Sequence, residues 1–149
     1  LNKLFLHNDL AGGRYEVDGR PIWFTDIKVP CFAVGTVTDH VAPWKSVYKL
    51  HLLPLDITFV LTSGGHNAGI VSPPGNPRRH FQMLTRPAGG NYLPPDEWLA
   101  AAPDTPDSWW PAWLAWLKAR SGTPVKPPRA GATAYPPVGD APGSYVLEK

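Results

Sequence analysis

The chain has 149 residues, about one domain's worth, and its 43% hydrophobic content supports a packed core, which excludes a disordered chain. A formal charge of +2, with Lys and Arg scattered apart from the Arg78-Arg79 pair and a loose cluster over residues 118–129, argues against nucleic acid as a partner. One cysteine excludes an internal disulfide framework and fits a reducing cytoplasm.

Residues 1–6 read as the end of a helix rather than as a leader, and Leu1 is not a Met, so the chain is expected to be cut from a longer soluble protein. No apolar run approaches the ~18 residues of a spanning helix. Residues 15–24 place apolar side chains on both sides of Asp18-Gly19, a short hairpin signal. Residues 29–35 form a continuous apolar run between Pro30 and Gly35, the pattern of a strand covered on both faces of a parallel sheet. Residues 43–52 read as a helix with Pro43 in its first turn and Val47, Tyr48 and Leu50 on its buried side. Residues 57–61 are a second β-rich run, so residues 31–61 predict a right-handed βαβ crossover.

Fifteen of the 19 prolines lie after residue 72, which predicts a more irregular second half. A short helix is expected over residues 96–102, after Pro94-Pro95. A stronger one is expected from Trp109 to about Arg120, capped by Asp107 or Ser108 and ended by Gly122. Within it Trp109, Trp113, Trp116 and Leu117 recur at helical spacing and form an apolar stripe that either buries against the parent domain or meets a partner. Residues 123–149, with six prolines, are expected to be an irregular tail. The division is therefore residues 1–122, a catalytic-domain portion, and 123–149, a Pro-rich tail.

Two loops carry the candidate chemistry. Gly35-Thr36-Val37-Thr38-Asp39-His40 leaves the first apolar strand, and Ser63-Gly64-Gly65-His66-Asn67 leaves the second. Both follow carboxyl ends of neighbouring strands, where α/β sheets place their sites, and Gly64 and Gly65 let the second loop bend inward. A carboxylate accepting the imidazole Nδ1–H fixes its tautomer and leaves Nε2 as a base. The order Asp39 then His66 matches that of α/β-hydrolases, in which the nucleophile precedes both. No G-x-S-x-G or G-x-C-x-G occurs in the chain. Cys31 sits inside an apolar strand and reads as a small core residue, and Ser63 lacks the elbow pattern. His7, His51 and His80 carry no partner pattern that marks a metal site.

Asp39-His40-Val41-Ala42-Pro43-Trp44, residues 62–70 around His66, and Ser108-Trp109-Trp110-Pro111-Ala112-Trp113 together resemble motifs of polyhydroxyalkanoate synthase, in the class that works without a second catalytic subunit. The tail from Ala141 to Val146 is similar to the end of these enzymes. The resemblance implies the C-terminal portion of an α/β-hydrolase fold, with parallel strands and a crossover helix, followed by the Trp-rich helix and the tail. It also implies an acyltransferase that polymerises (R)-3-hydroxyacyl-CoA into a polyester and releases CoA, the thioester being substrate and not cofactor.

In that family a Cys in a lipase-like box carries the growing chain; here the box would lie ahead of Leu1. His66 matches its activating base and Asp39 the triad carboxylate. His40, Trp44 and Asn67 are possible supporting residues: His40 is read as a structural hydrogen-bonding group and Trp44 as packed over the Asp39 loop. A homodimer, a polyester granule surface and the cytoplasm are implied as partner and setting. Two other readings stand: an ordinary α/β-hydrolase esterase or lipase, and a non-catalytic granule- or partner-binding module using the Trp-rich helix.

Overall fold

Six consecutive residues from Ile57 to Thr62 have no solvent-facing side, and the first of two structural units is built around the strand they form. The computed structural model describes all of Leu1–Lys149, as units Leu1–Ala119 and Arg120–Lys149. In chain order the elements are β1 (Tyr15–Val17), β2 (Arg20–Ile22), β3 (Cys31–Thr36), α1 (Trp44–Val47), β4 (Ile57–Thr62), β5 (His80–Arg86), α2 (Pro95–Ala101), β6 (Asp104–Pro106) and α3 (Trp110–Lys118). β1 and β2 make the expected hairpin; Asp18 (φ 51°) and Gly19 (φ 74°) both take the positive φ of a two-residue turn matched to strand twist. Residues 2–6 form one exposed helical turn of the π type.

The main sheet runs β3-β4-β5-β6. β3 and β4 are parallel, in register from Cys31↔Ile57 to Thr36↔Thr62, as the apolar runs predict. β5 and β6, for which no strand is expected from the sequence, return antiparallel, so the sheet as a whole is mixed. β5 escapes a reading dominated by proline because its alternation is hidden. Phe81 and Met83 face one layer and Leu84 the other, with Gln82 between them.

β4 sorts its side chains between two layers by the two-residue period of a strand. Ile57, Phe59 and Leu61 pack with Tyr48, Leu55, Trp98 and Ala102, from the crossover and α2. Val60 packs on the other face with Phe81 and Trp109, at the start of α3. The helix expected over residues 43–52 is α-helical only through Val47 and tightens to a 3₁₀ turn over Tyr48–Leu52. In a 3₁₀ turn residues three apart eclipse, and the His51 ring accordingly stacks on Tyr48 at 4.1 Å.

α2 starts on Pro95, whose missing N–H would be unpaired there anyway, and buries Trp98. In α3 the expected stripe splits: Trp109 and Trp116 pack on Phe32, whereas Trp113 stays 41% exposed. The Ser108 hydroxyl accepts the Trp110 N–H, but Asp107 takes φ 77° and binds the Gly75 N–H instead of capping. The helix ends at Lys118, ahead of Gly122. No helix is long and apolar enough to cross a membrane. The second unit is exposed throughout, with a single bridge between Ala132 and Tyr135 and a 3₁₀ turn over Tyr145–Leu147.

Candidate active site

Parallel pairing of β3 with β4 brings their carboxyl ends side by side, and the two loops leave from there. Val37 N–H donates to the Thr62 carbonyl and Thr38 N–H to the Gly64 carbonyl, so the pairing continues past the strands. The second loop can then turn because Gly64 adopts φ +105°, a conformation strained for any other residue. It settles on the first because Gly69 lies against Thr36; a Cβ at Gly69 would stand 2.4 Å from Thr36 Cγ2.

That closure puts His66 Nδ1 2.9 Å from Asp39 Oδ2. An ionised carboxylate only accepts, so the proton lies on Nδ1 and Nε2 of the neutral ring is the free base. Asp39 is itself held at both oxygens. Oδ1 accepts the Val41 and Ala42 N–H groups, each at 2.8 Å, and Oδ2 also accepts the Thr36 hydroxyl at 3.3 Å. The Ala42 N–H is the largest influence on its acidity; the bonds to His66 and Val41 add to it against the cost of desolvation, and the pKa falls to about 2. The Asp39 side chain is only 8% exposed and that of His66 50%, so a fixed carboxylate sits beneath an accessible imidazole.

An imidazole held in this way can act chemically as a base, and its natural counterpart would be a nucleophile. Cys31 does not supply one: it is half-buried at the start of β3, five residues before Thr36, hence about 17 Å away along the strand. The Ser63 hydroxyl accepts the His80 N–H, a structural bond that ties β4 to β5.

No family model matches the chain. Curated relatives do. The poly(3-hydroxyalkanoate) polymerase subunit PhaC of Rhizobium etli is 38% identical over 151 residues, covering 100% of this chain and 23% of that protein. Poly(3-hydroxyalkanoate) polymerase 2 of Ectopseudomonas oleovorans is 43% identical over 137 residues, 90% of this chain and 24% of that protein. The polymerase subunit PhaC of Cupriavidus necator is 36% identical over 153 residues, 100% of this chain and 25% of that protein. The chain belongs to the poly(3-hydroxyalkanoate) polymerase family. It spans about a quarter of the length of the curated relatives it matches, over their C-terminal region.

Within this polymerase segment the supporting candidates separate. His40 is exposed and its ring makes no hydrogen bond, which corrects the structural bonding role expected of it; the loop turns its neighbour Asp39 inward instead. Trp44 is half-buried and packs with Tyr48 and Trp98 in the layer that carries the crossover. Asn67 contributes main chain: its carbonyl accepts the Ile70 and Val71 N–H groups and closes the turn after His66.

Three contributors escape the sequence. Thr36 looks like a strand residue until its hydroxyl is seen on Asp39. Arg79 reads as half of a surface pair, yet its guanidinium donates to the Ser63 carbonyl and fills the space a Gly64 side chain would need. Gly69 lacks the adjacent-glycine signal of Gly64-Gly65. A second imidazole–carboxylate pair, His80 Nδ1 to Asp104 Oδ1 at 2.7 Å, bridges β5 and β6 with both side chains more than half exposed, unlike the buried Asp39. No three His, Cys, Asp or Glu side chains group to hold a metal ion. An open cleft lined by Tyr48, His51, Arg86 and Trp98 lies at the other end of the sheet, where Arg86 pairs with Ile57, and holds none of the loop residues.

Proposed function

We propose that the chain is the base-bearing part of an α/β-hydrolase-type acyltransferase that polymerises (R)-3-hydroxyacyl-CoA into polyester and releases CoA. The observation that carries this reading is the Asp39–His66 contact, with Asp39 locked by two backbone N–H groups. The family named for polyester polymerisation supplies the reaction class. In this reading His66 Nε2 takes the proton of a cysteine thiol contributed by sequence beyond this segment. The thiolate attacks the thioester carbonyl and CoA leaves as the thiol. Asp39 holds the imidazole in the correct tautomer and stabilises the imidazolium while it lasts.

The parallel β3–β4 pair, its crossover and helical layers on both faces of the sheet support the α/β-hydrolase assignment. The acyl-CoA is substrate, and no cofactor is needed. The division into a catalytic portion over residues 1–122 and a tail over 123–149 is kept, and the resemblance supports a cytoplasmic homodimer. The apolar patch of Pro74, Trp110, Pro111, Trp113 and Leu114 supports contact with a polyester granule.

The test is His66→Ala in the full polymerase, with CoA release from 3-hydroxybutyryl-CoA followed by thiol detection. An unassisted thiol of pKa ~8.5 is only a few per cent ionised at neutral pH. Release is therefore expected to fall to background while the circular dichroism spectrum is unchanged. Turnover near wild type would refute the assignment.

A further inference from the structure

Three consecutive side chains, Ser108, Trp109 and Trp110, each donate a hydrogen bond to the main chain that follows His66. The Ser108 hydroxyl donates to the Ser72 carbonyl, Trp109 Nε1–H to the Gly69 carbonyl at 3.0 Å, and Trp110 Nε1–H to the Ile70 carbonyl at 3.0 Å. An indole has one donor and no acceptor, so each bond is directional. Trp109, Ser108, Gly69 and Ser72 are buried, where a lost partner is not replaced by water.

The carbonyls they hold belong to one hydrogen-bonded turn. Gly69 N–H donates to the Gly65 carbonyl at 2.9 Å, and Ile70 and Val71 N–H donate to that of Asn67. The first of these bonds spans His66 and the other two close on the residue after it; the His66 side chain has no polar contact other than Asp39. Left to itself, a turn entered through two glycines and half open to solvent would sample many geometries. The start of α3 removes that freedom from outside, because Trp109 is itself fixed in the core against Val60 and Phe81.

We infer that Ser108-Trp109-Trp110 is a clamp that positions His66 against Asp39. These are positioning residues: they act through the turn and touch no reacting atom. The inference rests on the reading of His66 as the base. It gives the Trp-rich segment a task separate from core filling and from surface contact.

The experiment removes the indole donors without changing shape. In the full polymerase, Trp109 and Trp110 are replaced singly by 3-benzothienylalanine, which carries sulfur in place of the N–H, and Trp110→Phe and His66→Ala are made in parallel. Steady-state CoA release gives kcat and KM, and hydrogen-exchange mass spectrometry follows residues 65–72. The clamp requires kcat to fall about 10–100-fold with KM within about twofold, as loss of alignment without loss of binding does. Exchange over residues 65–72 should rise about tenfold while that of α3 stays unchanged. Unchanged kcat in the Trp variants, with His66→Ala inactive, sinks the clamp alone. So does a fall in kcat with exchange over residues 65–72 unaltered. Turnover by His66→Ala sinks the base reading, and the clamp's purpose with it.

Discussion

At the scale of single residues, the chemistry depends on how Asp39 is held. Both oxygens are occupied, so an amide in its place cannot simply rotate. In Asp39→Asn the new side chain would keep its carbonyl oxygen on the Val41 and Ala42 N–H groups and turn its NH₂ toward His66. His66 Nδ1 must then accept, the ring proton moves to Nε2, and the base is lost while the loop keeps its shape. The substitution is accordingly expected to reduce CoA release by up to ~10⁴-fold, the scale seen in triad hydrolases, with little change in unfolding midpoint. Retention of more than a tenth of the activity would show that the tautomer does not matter. Asp39 and His66 were legible in the sequence because each lies a few residues beyond an apolar run, and strand ends converge whatever the surrounding fold. Thr36 and Arg79 were not. Their types are ordinary for a strand and a surface, and only tertiary contact reveals their acceptors.

At the scale of elements, the site is a packing problem between β3 and the loop after β4. The loop lies so close to Thr36 that Gly69 has no room for a methyl group, whereas Gly122 has nothing within 4 Å of its position. Gly69→Ala must push the loop away from β3, which disturbs Thr36, the hydroxyl donor to Asp39, and the indole bond from Trp109. A loss of about 1–3 kcal/mol, the usual cost of overpacking, is expected in denaturant unfolding, together with a fall in turnover; Gly122→Ala should be neutral in both. Equal behaviour of the two variants would contradict this packing. The strand–helix–strand order from Cys31 to Thr62 was readable because unbroken apolar runs have few alternatives. β5 and β6 were not, since β5 interleaves Gln82 and Thr85 with its apolar residues and β6 contains only Asp, Thr and Pro.

At the scale of the whole molecule, acid stability brings the two ends of the sheet together. His51 is buried in the 3₁₀ turn, stacked on Tyr48, with Nδ1–H directed at the Tyr48 carbonyl and no partner at Nε2. Desolvation lowers its pKa; the bond to Tyr48 opposes this, and the Arg86 charge adds to the lowering. A histidine whose folded pKa lies below its unfolded value of ~6.5 costs nothing above that pH. As pH falls below ~6.5 the unfolded chain binds the proton first, so stability declines until the folded pKa is passed. Asp39 acts in a separate window. Its carboxyl titrates at about 2 when folded and near ~3.9 when unfolded, so its contribution is complete above ~4 and is lost on the way down to about 2. The melting temperature of the chain should therefore fall between pH 7 and pH 5, ahead of the loss that protonation of Asp39 brings. His51→Phe keeps a flat ring against Tyr48 and removes the titration, so its melting temperature should be flatter over that interval while the decline below pH 4 persists. If the variant's slope from pH 7 to pH 5 equals that of the wild type, His51 is not the group that limits acid stability.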